Sequence, residues 1–129
     1  MAGKFEPKTP VDLAPPKDDP ISTEFLSKCN GKPPLVPRDE NSGGLCYVAI
    51  KGRVFDVSRN KMYAPGGSYH VFAGHDASRA LGMTSTKAED VVPDWSPLTD
   101  KEKSVLEDWF MFFSKRYNIV GMVEGATNQ

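Results

Sequence analysis

One segment constrains the fold more than any other, the run from Thr99 to Tyr117. Thr99-Asp-Lys-Glu102 has the form of a capping box, in which threonine and glutamate each satisfy an orphan backbone N–H of the other. Leu106, Trp109, Phe110, Phe113 and Tyr117 follow at i, i+3, i+4, i+7 and i+11. That spacing puts large apolar side chains on one helical face. Lys115 and Arg116 fall in the last turn, where they complement the helix dipole. A stripe of this kind has to be buried against a core.

Leu45-Cys-Tyr-Val-Ala-Ile50 and Arg53-Val-Phe-Asp-Val57 both read as strands. Lys51-Gly52 between them fits a two-residue hairpin turn. Phe55 and Val57 alternate with Val54 and Asp56, so the first pair is expected on the buried face. Asn118–Val123 reads as a closing strand. Ser22–Gly31 reads as a short helix, with Ser22 as cap, Phe25, Leu26 and Cys29 at helical spacing, and Asn30-Gly31 as stop. Asp76–Gly82 predicts another, capped by Asp76 and ended by Gly82. A further short helix is expected over Thr86–Val91. Pro93–Pro97 reads as a loop with a buried Trp95. Strands and short helices follow one another without βαβ alternation, which places the chain in the α+β class.

At 129 residues there is material for one domain, assigned to residues 21–123. Residues 1–20 read as a flexible tail, because prolines interleave with Lys and Asp and no apolar periodicity appears. Residues 32–44 read as a surface loop and 124–129 as a frayed end. Net charge is −1, without a basic stripe, so no nucleic-acid partner is expected. No run approaches the ~18 apolar residues of a spanning helix, and the N-terminus lacks a signal-peptide core. A cytoplasmic or peripheral membrane location is expected. Cys29 and Cys46 lack metal-ligand spacing and read as reduced thiols.

The chemistry concentrates in Lys61–Ala80, which holds two of the four tyrosines, both histidines and the turn Pro65-Gly-Gly67. By spacing alone, Tyr63 and Tyr69 are aromatic residues packed beside a turn. His70 and His75 are five apart, poor spacing for one helix face, and read as surface residues.

Longer strings point further. Tyr47-Val-Ala-Ile-Lys-Gly-Arg-Val-Phe-Asp-Val-Ser58, Pro65-Gly-Gly67 and Ala73-Gly-His-Asp-Ala-Ser78 together resemble the cytochrome b5-like haem/steroid-binding domains. Tyr63-Ala-Pro-Gly-Gly-Ser-Tyr-His-Val-Phe-Ala-Gly74 and Arg116-Tyr-Asn-Ile-Val-Gly121 are similar to the membrane-associated progesterone receptor (MAPR) branch, which includes the fungal damage-response haem proteins. The resemblance runs over residues 20–123 and implies a small mixed sheet with short helices forming a haem pocket and one longer C-terminal helix. In cytochrome b5 electron carriers an iron-ligating histidine directly precedes Pro-Gly-Gly. Here that residue is Ala64, and no histidine follows His75. The branch resemblance moves the ligand role to Tyr69, with Tyr63 beside it as a hydrogen-bond donor.

Tyr117 and Arg116 are then candidates for the haem propionates, although core packing explains Tyr117 and the helix dipole explains Arg116 equally well. Phe72, Leu81 and Met83 are expected as apolar walls by position. The resemblance implies a non-enzymatic domain that binds haem b (iron protoporphyrin IX) through a tyrosinate and supports cytochrome P450-type monooxygenases of sterol metabolism at the endoplasmic reticulum. It also implies a haem-mediated homodimer and a possible steroid ligand. The competing readings are a sterol-binding module that uses the same pocket without haem, an electron-transfer component, and an adaptor whose turn is only structural.

Overall fold

The computed structural model describes residues 17, 19–31, 45–58, 60–126 and 128. Its elements in chain order are β1 (Pro20–Ile21), α1 (Thr23–Lys28), β2 (Tyr47–Ile50), β3 (Arg53–Asp56), α2 (Ser78–Met83), α3 (Asp100–Arg116) and β4 (Ile119–Val123). Short 3-10 turns cover Lys61–Tyr63, His70–Phe72 and Ala88–Asp90. The strands form one sheet in the order β1-β4-β3-β2. β1 runs parallel to β4, and the other neighbours are antiparallel.

The β2–β3 hairpin forms where the alternating pattern places it. Lys51 and Gly52 both have positive φ, 52° and 80°, as a tight turn between twisted strands requires. Val48, Ile50, Phe55 and Val57 face the main core, which α3 covers with Leu106 and Phe113. Ala49 and Val54 point the other way and are also buried, against Leu26 of α1 and Val123. The alternation therefore marks two buried faces rather than one buried and one wet. Phe25, at helical spacing with Leu26, lies on the exposed side of α1.

Both bonds of the capping box are present: Glu102 N–H donates to Thr99 Oγ1 at 3.2 Å and Thr99 N–H to Glu102 Oε1 at 2.9 Å. Ser22 caps α1 through Phe25 N–H at 3.0 Å. The expectation for α2 needs correction at both ends. Ala77 is the N-cap, and the helix closes on Thr84 in the left-handed region, beyond Gly82. Gly82 instead gives α3 room: a Cβ there would lie 2.5 Å from Leu98 Cδ1 and 3.0 Å from the Glu102 carbonyl. The helix expected over Thr86–Val91 is only a 3-10 turn. Trp95 is half-buried.

The ordered edge reaches into the segment read as a tail. Lys17 N–H donates to the Ile119 carbonyl at 3.0 Å and Pro20 opens β1. Proline sits comfortably there, on an edge strand that needs no N–H from it. At the other end, Asn128 donates to Asp76 Oδ2 at 2.9 Å. The loop expected over residues 32–44 lies outside the described residues.

Candidate functional site

The chain leaves β3 and turns at Asn60, whose Oδ1 accepts from Met62 N–H at 2.9 Å and so starts the Lys61–Tyr63 turn. The Pro65-Gly66-Gly67 segment then doubles back. Gly67 N–H donates to the Ala64 carbonyl at 2.8 Å, and Tyr69 N–H to the Met62 carbonyl at 2.8 Å. Gly66 has φ +88°, and Gly67 lies so close to the preceding turn that a Cβ would stand 2.3 Å from the Met62 carbonyl oxygen. The following residues zip along the free edge of β2: Gly74 N–H donates to Tyr47, Ala49 N–H to His75, and Ala77 N–H to Ala49, at 2.7, 2.9 and 2.9 Å. The tyrosine turn is thus held by its own backbone and by the sheet edge.

That backbone closeness makes a strong prediction. Gly67→Ala is expected to cost about 1–3 kcal/mol as an overpacking substitution against backbone that cannot swing aside. Urea unfolding measures the cost, and near-wild-type stability would show that the turn is looser than its geometry implies.

Three of the four sequence-selected residues converge through their rings. Tyr63 lies 5.7 Å from Tyr69 and 6.5 Å from Tyr117, centroid to centroid. Phe113 packs edge-on to Tyr63 at 6.0 Å, and Phe72 stacks on Tyr69 at 6.0 Å. Tyr63 is 5% exposed, whereas Tyr69 is 37% exposed. Burial, and secondarily the neighbouring Tyr117, Tyr69 and Cys46, push the Tyr63 phenol well above the ordinary tyrosine range. Tyr63 therefore stays neutral and is a poor phenolate; Tyr69 has solvent access. Arg116 stacks on Phe112, its guanidinium carbon 4.3 Å from the ring centroid, a cation–π contact within α3.

The raised Tyr63 pKa carries a sign for stability. The unfolded phenol ionises near ~10, so this contribution is complete below that pH and is lost as pH rises through the higher folded value. Stability should fall above pH ~10, and Tyr63→Phe should flatten that fall. Equal slopes in denaturant titrations of both proteins would refute it.

Two partners of the tyrosines were not among the sequence candidates. Asn60 Nδ2 donates to Tyr117 Oη at 2.7 Å, tying the end of α3 to the start of the turn. Cys46 Sγ donates to the Tyr63 carbonyl at 3.3 Å. Asn60 had a legible signal as a residue capping a turn; its second bond crosses the fold and had none. Burial pushes both thiols up to about 11, so neither is a reactive thiolate. Of the expected walls, Phe72 and Leu81 are buried and Met83 is exposed.

The histidines lie outside the ring group, His75 exposed and His70 half-buried. His70 Nε2 contacts the Asn30 carbonyl at 2.8 Å. Desolvation of its ring, then the proximity of His70, holds His75 below the usual histidine value. Among the described residues no cluster of three His, Cys, Asp or Glu side chains is arranged to hold a metal ion. Tyr63 and Tyr69 bring two phenolic oxygens to this turn, a donor type that a haem iron can accept. A half-open pocket of about 530 Å³ lies elsewhere, between α1, residues 93–96, residues 123–126 and Asn128.

The sequence profile of the cytochrome b5-like heme/steroid binding domain matches residues 36–116. The chain belongs to this family. A solved Arabidopsis thaliana protein described as having a cytochrome b5 like fold superposes on this b5-like domain with a TM-score of 0.70 at 44% identity, covering 83% of this chain and 92% of that one. "Probable steroid-binding protein 3" of Arabidopsis thaliana is 48% identical over 104 residues, 80% of this chain and 96% of its own length. "Cytochrome P450 regulator dap1" of Schizosaccharomyces pombe is 40% identical over 89 residues, 63% of this chain and 54% of its own. "Membrane steroid-binding protein 2" of Oryza sativa subsp. japonica is 40% identical over 105 residues, 81% of this chain but 37% of its own. The b5-like domain thus spans nearly all of one relative and about half or less of the other two. These names describe binding proteins and a regulator rather than enzymes. The fold is cytochrome b5-like, with its longest helix, α3, near the C-terminal end. No helix among the described residues is long and apolar enough to cross a membrane.

Proposed function

We propose that this b5-like domain binds haem b with Tyr69 as the axial ligand, and that it supports P450-type monooxygenases of sterol metabolism, by contact or by haem supply. The observation that carries the ligand assignment is the contrast within the tyrosine pair: a solvent-accessible phenol at Tyr69 against a buried, neutral one at Tyr63. When bound, haem supplies a ferric centre that stabilises phenolate, a hard anionic oxygen donor. Tyr63 fixes the ring of Tyr69 by packing and supplies a neutral hydroxyl beside it. Phe72 supports Tyr69 from the stacked side. Ala64 removes the histidine that an electron carrier would use, which favours haem holding over electron relay. Tyr117 and Arg116 close the same end of the domain and are proposed to meet the propionates.

The test is a haem titration followed by absorbance. A Soret band with a high-spin ferric spectrum is expected. A low-spin spectrum with rapid reduction would move the reading to electron transfer, and no Soret band would remove haem from it.

A steroid is the second ligand we bring to this chain, on the family description and the names of its relatives. Endoplasmic-reticulum association and a haem-mediated dimer belong to the same proposal.

A further inference from the structure

We propose that Asn60 is a positioning residue for haem: it commits the Tyr117 hydroxyl to act as a hydrogen-bond donor, ready for a porphyrin carboxylate. This rests on the proposed meeting of Tyr117 with the propionates and adds the group that sets the direction of that bond.

The backbone fixes which way the Asn60 amide faces. Its Oδ1 accepts from Met62 N–H at 2.9 Å, as the cap of the Lys61–Tyr63 turn. A backbone N–H can only donate, so the atom that meets it is the amide oxygen and the other terminal atom is the NH2 group. That NH2 can only donate in its turn. In the 2.7 Å bond between Asn60 Nδ2 and Tyr117 Oη the phenol oxygen is therefore the acceptor. A phenol both donates and accepts. With Asn60 on its acceptor side, Tyr117 keeps its own proton for a different partner.

The amide cannot exchange its two ends without losing the turn cap. The main chain of Asn60 is held as well: its N–H donates to the Val57 carbonyl at 2.9 Å, and its carbonyl accepts from Tyr63 N–H at 3.1 Å. Tyr117 is the C-cap of α3, with its N–H on the Phe113 carbonyl at 2.9 Å. Its ring lies against Phe113 at 5.1 Å and Tyr63 at 6.5 Å, centroid to centroid. Ring and hydroxyl are both ordered before a ligand arrives, which removes part of the entropy cost of binding.

The polarity selects the ligand group. An ionised carboxylate can only accept. A Tyr117 proton spent on residue 60 would leave lone pairs to face that carboxylate. The observed arrangement instead offers it a donor, and hydrogen bonds to an ionised partner are the stronger kind.

Asn60→Asp separates this role from a purely structural one. Aspartate caps a turn as well as asparagine does and has nearly the same shape, but its second oxygen accepts and would draw the Tyr117 proton to itself. Haem and haem dimethyl ester, whose propionates carry no charge, are titrated into the full chain and followed by absorbance. Asn60→Asp should weaken haem about tenfold or more and the ester by less than about threefold, with the urea midpoint of the haem-free chain unchanged. Tyr117→Phe should weaken haem by a similar factor, and adding Asn60→Asp to it should cost less than about twofold more. In the haem-free chain the side-chain amide resonances of Asn60 should shift on Tyr117→Phe. The proposal is overturned if Asn60→Asp binds haem like the wild type, if both porphyrins weaken equally, or if the Asn60→Asp effect persists in full without the Tyr117 hydroxyl, which would mark it as charge repulsion. Unmoved amide resonances would overturn the bond itself. A wild type without a Soret band ends the haem reading and this role with it; a Soret band indifferent to Asn60→Asp ends only the role of Asn60.

Discussion

Replacing Tyr69 by phenylalanine is expected to abolish the tyrosinate charge-transfer band of the haem-loaded domain and to weaken haem by more than the roughly 10–100-fold that a ligand's supporting partner commonly contributes. Tyr69 is 37% exposed, and its ring contacts to Tyr63 and Phe72 survive the change. Folding stability should therefore move by no more than about 0.5 kcal/mol, which separates loss of a ligand from loss of a fold. Tyr63→Phe should give the milder phenotype, roughly 10–100-fold in affinity, because it removes a neutral neighbour. A parent-like spectrum and affinity in Tyr69→Phe would end the assignment. If Tyr63→Phe instead lost haem completely, the two roles would have to be exchanged.

Phe113→Ala should have the largest effect on stability. The side chain is 0% exposed. It meets Phe55 at 5.5 Å, Tyr63 at 6.0 Å, Trp109 at 6.3 Å and Tyr117 at 5.1 Å, centroid to centroid. Truncating a buried phenylalanine costs ~3–5 kcal/mol, a large share of the ~5–15 kcal/mol that holds a small domain together. Chemical denaturation should show that loss, and haem binding should weaken with it because Tyr63 and Tyr117 lose their common support. A loss below ~1 kcal/mol would place Phe113 outside the centre of the core.

The contrast between these variants follows what a sequence can carry. Local rules delivered Ser22, the Lys51-Gly52 turn and the Thr99–Glu102 box, because a cap or a tight turn is settled within a few residues. The period of α3 delivered Leu106 and Phe113 as buried. Asp76 was legible as a polar residue at a helix start. Its larger role was not: one oxygen receives Gly52 of the hairpin turn and Asn128 from the far end, partners remote in sequence. Gly82 looked like a helix stop because glycine usually is one; packing against Leu98 and Glu102 overrode that. Among the site residues, the nearness of Tyr63 and Tyr69 follows from the turn between them. Tyr117 joins them only because α3 folds back over the sheet. The half-open pocket had no sequence signature, since its walls come from four separate segments.

The parallel pairing of β1 with β4 has a consequence for how the domain is made. Pro20 meets Met122 and Ile21 meets Val123, so the first strand waits for nearly the whole described chain before it finds its partner. β4 is also the strand that separates β1 from β3. During synthesis the hairpin and the tyrosine turn have most of their contacts close at hand. The sheet can close only after α3 has been made and β4 has followed it. Until then the β3 edge is bare, a template for mispairing with another chain. Long-range closure of this kind slows folding, and ending the chain before Ile119 removes an interior strand of the sheet rather than its margin.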